Sequence, residues 1–425
     1  MPLFNSSQKL FFSLISFRTA ITLFNAILNL VFLRIVVEKI GLEEVGIYFV
    51  LISVGQILST LDLGLSYRAS IIFGSKTEEI STRAFLGIVV WRIAIVQSLI
   101  TSSMLGILPI LNLVLFHKFS YDNISLFFIV FITSIFLSIF SLFNQYFIVR
   151  AELHRLLIID FWRNLSTFLL SILFISYSKS LLSLILAWSV ANIVPNLIYI
   201  FRYFRSTLSR EIIELSNVPD FPFLKSEGVH NQFSVIGGVL NNSSDQIVLS
   251  AVLGPSFVTS YQILTRALVF LRAILGIVWL QLWPLLTFGI QDILKRRESR
   301  SLIRMTIFVG SIFALSYSLG GNSFVRIFIA ENTALTFSSY LAVGILGIVL
   351  AAEIIVSAGT MELRFQRVKQ WLVLLSGFAN VLLSAYFARV FGVSGCIISS
   401  ILIISFLYVL PLGFIRRDFW RNIFN

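Results

Sequence analysis

The chain has 425 residues, 57% of them hydrophobic and only 12% charged, with a formal net charge of +12. Soluble proteins carry about 25% charged residues, so this balance, with a mean hydropathy of +0.94, excludes a water-soluble globular domain. A single cysteine, Cys396, excludes an intramolecular disulfide, and His117, His154 and His230 are too dispersed for metal-ligand spacing. The positive charge lies in short loops between apolar runs, a pattern of membrane orientation and not of nucleic-acid binding.

Apolar runs of ~20 residues recur almost from end to end, each long enough to cross a ~30 Å hydrocarbon core. They predict twelve spans, at 10–37, 46–73, 84–115, 124–148, 156–177, 181–203, 229–253, 257–288, 302–320, 334–358, 368–390 and 393–415. The first run is expected to be a retained span, because no small-residue cleavage site follows it. With both termini cytoplasmic, twenty-one Lys and Arg residues fall on inner segments and six on outer ones. That bias predicts this orientation and an even number of spans. The longest connection carries Pro219 and Pro222 and reads as a cytoplasmic linker lying on the membrane surface. The expected division is therefore 1–203, a six-helix bundle; 204–228, the linker; and 229–425, a second six-helix bundle.

The first span carries Arg18, Thr22, Asn25 and Asn29 at i, i+4, i+7 and i+11, which puts them on one helical face. The second carries Ser53, Gln56 and Thr60, then Asp62. A polar stripe on an apolar helix needs a polar environment, and a cavity inside the bundle supplies one. A shift of 213 residues places Gly41 on Gly254 and Tyr48 on Tyr261. Span seven repeats the stripe spacing with Ser234, Gly238, Asn241 and Asp245. Two halves of six spans start on the same side of the membrane, so the repeat is parallel, as in transporters with the substrate path between halves.

Ionisable residues near the bilayer centre cost roughly 2.5–3.5 kcal/mol on insertion scales and usually face a bundle interior or wet cavity. Arg18 suits a phosphate or other anion, or snorkels to cytoplasmic headgroups. Arg266 and Arg272 on span eight lie deeper, six residues and so roughly 120° apart around the helix. Arg92 beside Trp91 reads as an interfacial anchor. Asp245 could take a coupling cation or proton, or pair with Arg266 or Arg272. Asp62 reads first as a structural hydrogen-bonding group, and Glu353 as a solvated or paired carboxylate. Pro195 and Pro284 each fall inside a span and predict kinks. No nucleophile–base constellation and no carboxylate pair on a loop is present, so an enzyme is not expected.

Three segments carry a resemblance. They are Gly41-Leu-Glu-Glu-Val-Gly-Ile-Tyr48; Leu61-Asp62-Leu63-Gly64-Leu65; and Asn242-Ser-Ser-Asp245-Gln-Ile-Val-Leu-Ser-Ala-Val-Leu-Gly254 with Val258-Thr-Ser-Tyr261. With them the chain resembles the O-antigen and polysaccharide flippases of the Wzx type, in the multidrug/oligosaccharidyl-lipid/polysaccharide (MOP) exporter superfamily, alongside MATE exporters and MurJ-type flippases. The resemblance implies an all-α integral membrane protein whose two six-helix bundles form a V around a central cavity. It implies a bacterial inner-membrane protein that moves undecaprenyl-pyrophosphate-linked sugar repeat units from the cytoplasmic to the periplasmic leaflet. A cationic cavity is expected, for which Arg18, Asn25, Asn29, Asn241, Arg266 and Arg272 are the candidates. Asp62 and Asp245 are candidates for H+ or Na+ coupling or for a structural pair, with no other cofactor or metal. The expected partners are the lipid-linked oligosaccharide, membrane lipid and polysaccharide polymerase machinery. The alternative is a MATE-like exporter of small molecules, in which acidic residues would meet organic cations.

Overall fold

The computed structural model describes residues 2–61, 95, 96, 99, 121–149, 153–207, 226–288, 293–328, 335–360 and 363–417. These residues are helical apart from short turns, and no strand occurs among them. In chain order the helices are α1 (Pro2–Ile40), α2 (Leu42–Ser59), α3 (Tyr121–Val149), α4 (Leu153–Tyr177), α5 (Leu181–Thr207) and α6 (Ser226–Val252). There follow α7 (Pro255–Phe288), α8 (Ile293–Phe328), α9 (Phe337–Gly359), α10 (Leu363–Phe391), α11 (Val393–Ile403), a π-helical turn (Ile404–Val409) and α12 (Leu410–Ile415). Eight described segments are long and apolar enough to cross a membrane, the last of them Val393–Ile415, which joins α11, the π turn and α12. The all-α, multi-pass membrane class expected from the sequence is the one observed. The third predicted span lies almost wholly outside the described residues, as does the second half of the second.

The chain clusters into two compact units: Met1–Gly46 with Leu240–Asn425, and Ile47–Val239. In the first unit α7 packs on α1, α8 and α9, and α9 packs on α8 and α11. Small residues make these approaches close, since helix association in lipid depends on packing and not on a hydrophobic driving force between helices. A Cβ added at Gly344 would lie 2.8 Å from the carbonyl oxygen of Ala314, and one at Gly310 would lie 2.9 Å from Ala351 Cβ. Tyr317 of α8 anchors the same region. Its hydroxyl donates to the Leu264 carbonyl at 2.6 Å, and its ring stacks on Phe313 with an interplanar angle of 8°.

In the second unit α3 packs on α4 and α5 and α4 on α5. Serines tie α3 to α2: Ser134 Oγ donates to the Gly55 carbonyl at 3.1 Å and Ser138 Oγ to the Ser59 carbonyl at 2.5 Å. Thr133 Oγ1 donates to Ser189 Oγ of α5 at 2.9 Å. Gln232 of α6 donates to the Thr60 carbonyl, satisfying an acceptor at the end of α2. Pro195 sits inside α5, which remains one helix from Leu181 to Thr207. Asp160 and Arg163 of α4, which the sequence reading did not single out, form an ion pair of 2.8 Å one turn apart.

The turns matched by the 213-residue shift share a backbone feature. Gly41 has φ +90° and Gly254 has φ +107°, a left-handed conformation that side chains with a Cβ rarely adopt. The two helices that follow meet where they begin. A Cβ at Gly46 of α2 would lie 1.8 Å from the Pro255 carbonyl oxygen of α7, and Thr259 Oγ1 donates to the Leu42 carbonyl at 2.7 Å. Open space surrounds the Cβ position at Gly41, so Gly41→Ala should cost only the left-handed backbone strain. That is about 1 kcal/mol, read as a small fall in thermal unfolding temperature in detergent.

Candidate functional site

The stripe of span seven leads to a buried carboxylate. Asp245 of α6 is 1% exposed, and its two oxygens accept four hydrogen bonds from three other helices. Oδ2 accepts from the Tyr261 hydroxyl of α7 at 2.7 Å and from Ser400 Oγ of α11 at 3.3 Å. Oδ1 accepts from Asn380 Nδ2 at 3.1 Å and Ser384 Oγ at 2.8 Å, both on α10. A carboxylate offers about four lone-pair sites, so its acceptor capacity is filled. All four donors are neutral, and neither Arg266 nor Arg272 is among them. Asn380 Oδ1 lies within 3.4 Å of Ser384 Oγ, 3.3 Å of Ser399 Oγ and 3.4 Å of Ser400 Oγ.

This arrangement solves the problem of a charge inside an apolar helix bundle by dipoles. An unpaired buried carboxylate is very costly, and short charge-assisted hydrogen bonds offset much of that cost. The serine and tyrosine hydroxyls can also rotate. Turned about, they offer lone pairs beside Asp245 Oδ1 and Oδ2 and Asn380 Oδ1, a set of hard oxygen ligands that fits a small cation such as Na+. A proton on Asp245 is the other way to neutralise the cage. Among the described residues no group of three or more His, Cys, Asp or Glu side chains could hold a metal ion.

Arg272 of α7 is exposed, and its Nη1 donates to Asn242 Oδ1 of α6 at 3.0 Å. Arg266 is half-buried on the same helix. Asn241 of α6 donates through Nδ2 to Ser376 Oγ of α10 at 2.7 Å. On α1, Asn29 Nδ2 donates to the Asn25 carbonyl at 2.8 Å, and the buried Asn25 Oδ1 has no hydrogen-bond partner among the described residues. The side chains of Arg18 and Thr22 lie outside the described ones, and Asp62 lies outside the described residues altogether.

Sequence reasoning missed Tyr261, Asn380, Ser384 and Ser400 as partners of Asp245. The signal was available for two of them. Ser376, Asn380 and Ser384 follow one another at four-residue spacing on an apolar helix, the same one-face pattern that singled out the stripes on spans one and seven.

No family model matches the chain, and no curated protein does. Solved structures do. The chain superposes on the lipid II flippase MurJ in an inward closed conformation with a TM-score of 0.69 at 15% identity, covering 96% of this chain and 90% of that one. An inward-facing multidrug resistance MATE family transporter of the MOP superfamily gives 0.66 at 13%, covering 96% and 98%. A MOP superfamily transporter from Pyrococcus furiosus, described as having a binding pocket of reversed polarity that suggests a different function, gives 0.64 at 12%, covering 96% of each chain. The fold is therefore that of the MOP-superfamily transporters.

Proposed function

We propose that the protein is a flippase that carries an undecaprenyl-pyrophosphate-linked oligosaccharide, such as an O-antigen or other polysaccharide repeat unit, from the cytoplasmic to the outer leaflet of a bacterial inner membrane. Transport runs by alternating access between two six-helix halves, 1–203 and 229–425, joined by the 204–228 linker, with both termini cytoplasmic. The lipid tail stays in the bilayer while the pyrophosphate and sugars cross. The observation that carries this reading is the disposition of charge in the unit that holds Asp245. Arg272 is exposed, with one nitrogen hydrogen-bonded to a neutral amide. Asp245 is buried in a cage of donors. An arginine fork recognises phosphate oxygens in pairs, whereas an organic cation would need an accessible acid. Asn25, Asn29 and Asn241 supply neutral polar contacts to sugar hydroxyls. The Asp245 cage couples transport to Na+ or H+.

A double Arg266→Gln, Arg272→Gln variant should export less than one tenth of the wild-type surface polysaccharide while its membrane protein level stays unchanged. That loss corresponds to more than about 1.4 kcal/mol of lost interaction. Full export by the double variant rejects the arginine assignment. A second reading, a MATE-like exporter of small molecules, is favoured equally by the likeness to the MATE fold. Cells lacking the protein distinguish the two: loss of surface glycan supports the flippase, and altered drug sensitivity with normal glycan supports the exporter.

A further inference from the structure

The second unit carries a groove that the transport reading does not use. It opens between α4 and α5, just below the 178–180 turn that joins them, with a volume of about 500 Å³. That lies inside the roughly 300–1,000 Å³ of ordinary ligand sites. Both helices are long and apolar enough to cross a membrane, from Leu156 to Tyr177 and from Leu181 to Phe201. The turn between them therefore lies at headgroup level, where Tyr177, 94% exposed, is an interfacial aromatic.

The groove is polar at its mouth and apolar below. Leu173 and Phe174 of α4 line it together with Leu182 and Leu186 of α5. Leu173, Leu182 and Leu186 are 61%, 43% and 37% exposed, so this part is open to hydrocarbon. It extends about one and a half helical turns, or ~8 Å, from the mouth. Ser178, Ser180 and Ser183 form the mouth. Ser183 Oγ closes the turn with a hydrogen shared between the Ser178 and Ser180 carbonyls, each at 2.7 Å. Ser180 Oγ accepts the Ser183 N–H at 3.3 Å and lies 3.1 Å from Ser178 Oγ. One hydroxyl proton joins that pair, whichever serine donates, and the other has no acceptor among the described residues. Between the two serines Lys179 is exposed and makes no ion pair among the described residues.

We infer that this groove binds an anionic phospholipid, with one acyl chain between α4 and α5 and the phosphate at the serine mouth beside Lys179. The remaining hydroxyl proton and the ammonium are donors suited to phosphate oxygens. Charge selects an anionic headgroup over a zwitterionic one. On α4 and α5 the single carboxylate is Asp160, already paired with Arg163. It lies about 26 Å along α4 from the turn, so an ethanolammonium group meets no acid from these helices. A second copy of the chain fits the groove less well, since two-fold docking here brings each Lys179 towards its own image. The inference needs only that α4 and α5 span a membrane, and it does not rest on the transported substrate.

The test is photolabelling of the full-length protein in phosphatidylcholine nanodiscs. The probe is phosphatidylglycerol with a diazirine midway along one acyl chain, and the labelled peptides are mapped by mass spectrometry. Label should concentrate on residues 173–186. A phosphatidylethanolamine probe with the same chain should label that segment about fivefold less, the factor expected for one lysine acting on an anionic headgroup. Lys179→Gln should remove the difference between the probes. Lys39→Gln, the same loss of charge at the exposed end of α1, should leave it intact. Leu182→Trp, which fills the apolar part, should lower labelling by both probes. Equal labelling of 173–186 by the two probes in wild type, an unchanged preference in Lys179→Gln, or full labelling of Leu182→Trp overturns the inference. So does a wild-type protein that is unlabelled there and runs as a dimer that Leu182→Trp dissociates.

Discussion

Asp245→Ala is expected to abolish transport and to lower thermal stability by on the order of 3 kcal/mol. The carboxylate is the shared acceptor for Tyr261, Ser400, Asn380 and Ser384, which come from three helices. Removing it strands buried donors in a medium without water, and each unsatisfied donor costs roughly 1–3 kcal/mol. The total stays below four such penalties because Ser384 and Ser400 already lie near Asn380 Oδ1 and can turn to it. The Tyr261 hydroxyl has no such second acceptor within the cage. Asp245→Asn separates packing from charge. Its amide keeps the volume and one oxygen, and the hydroxyls can rotate to accept from its NH2, so the fall in unfolding temperature should be less than half that of the Ala variant. Transport should still be lost, since a neutral amide neither binds a cation strongly nor exchanges a proton. Thermal unfolding in detergent and transport in proteoliposomes read the two effects separately. Wild-type transport by Asp245→Asn would remove the coupling role and leave the cage as a structural junction.

Gly46→Val should prevent a folded, monodisperse protein from accumulating in the membrane. Any Cβ at this position would lie 1.8 Å from the Pro255 carbonyl oxygen and 2.5 Å from its carbon. The obstacle is backbone at the first residue of α7, so no rotamer change relieves it. The helices would have to separate and lose the Thr259-to-Leu42 hydrogen bond beside the crossing. Overpacking of this kind costs about 1–3 kcal/mol and more when backbone must move. Gly46→Ala should show the same defect at smaller amplitude, and Gly41→Ala, five residues away in open space, the least. Size-exclusion profiles and unfolding temperatures in detergent give this order. Equal stability of Gly46→Ala and wild type would mean that the crossing of α2 and α7 is not a tight constraint.

The span pattern was legible because hydropathy is a local property: ~20 apolar residues must become helix in lipid, where every backbone group needs an internal partner. Each predicted span with described residues from end to end has its helix, with ends within a few residues or extended beyond the lipid-crossing part, as in α8, which begins at Ile293. The Gly41 and Gly254 match was legible too, and both have positive φ because a reversal between helices needs the left-handed region there. The π turn at Ile404–Val409 had no such signature, since its residues read as an ordinary apolar helix.

What the sequence determined by itself is the membrane class, the order of the helices, the turns at Gly41 and Gly254 and the fact that Asp245, Arg266, Arg272 and Glu353 are ionisable residues on apolar helices. What only the tertiary structure decided is which of them meet. Asp245 is joined to residues 135, 139 and 155 positions away. The physical reason is that helical periodicity assigns a side chain to a face, while its partner depends on which helix packs against that face. Here that choice rests on small-residue contacts such as Gly344 on Ala314 and on shared acceptors, and neither leaves a mark in local composition.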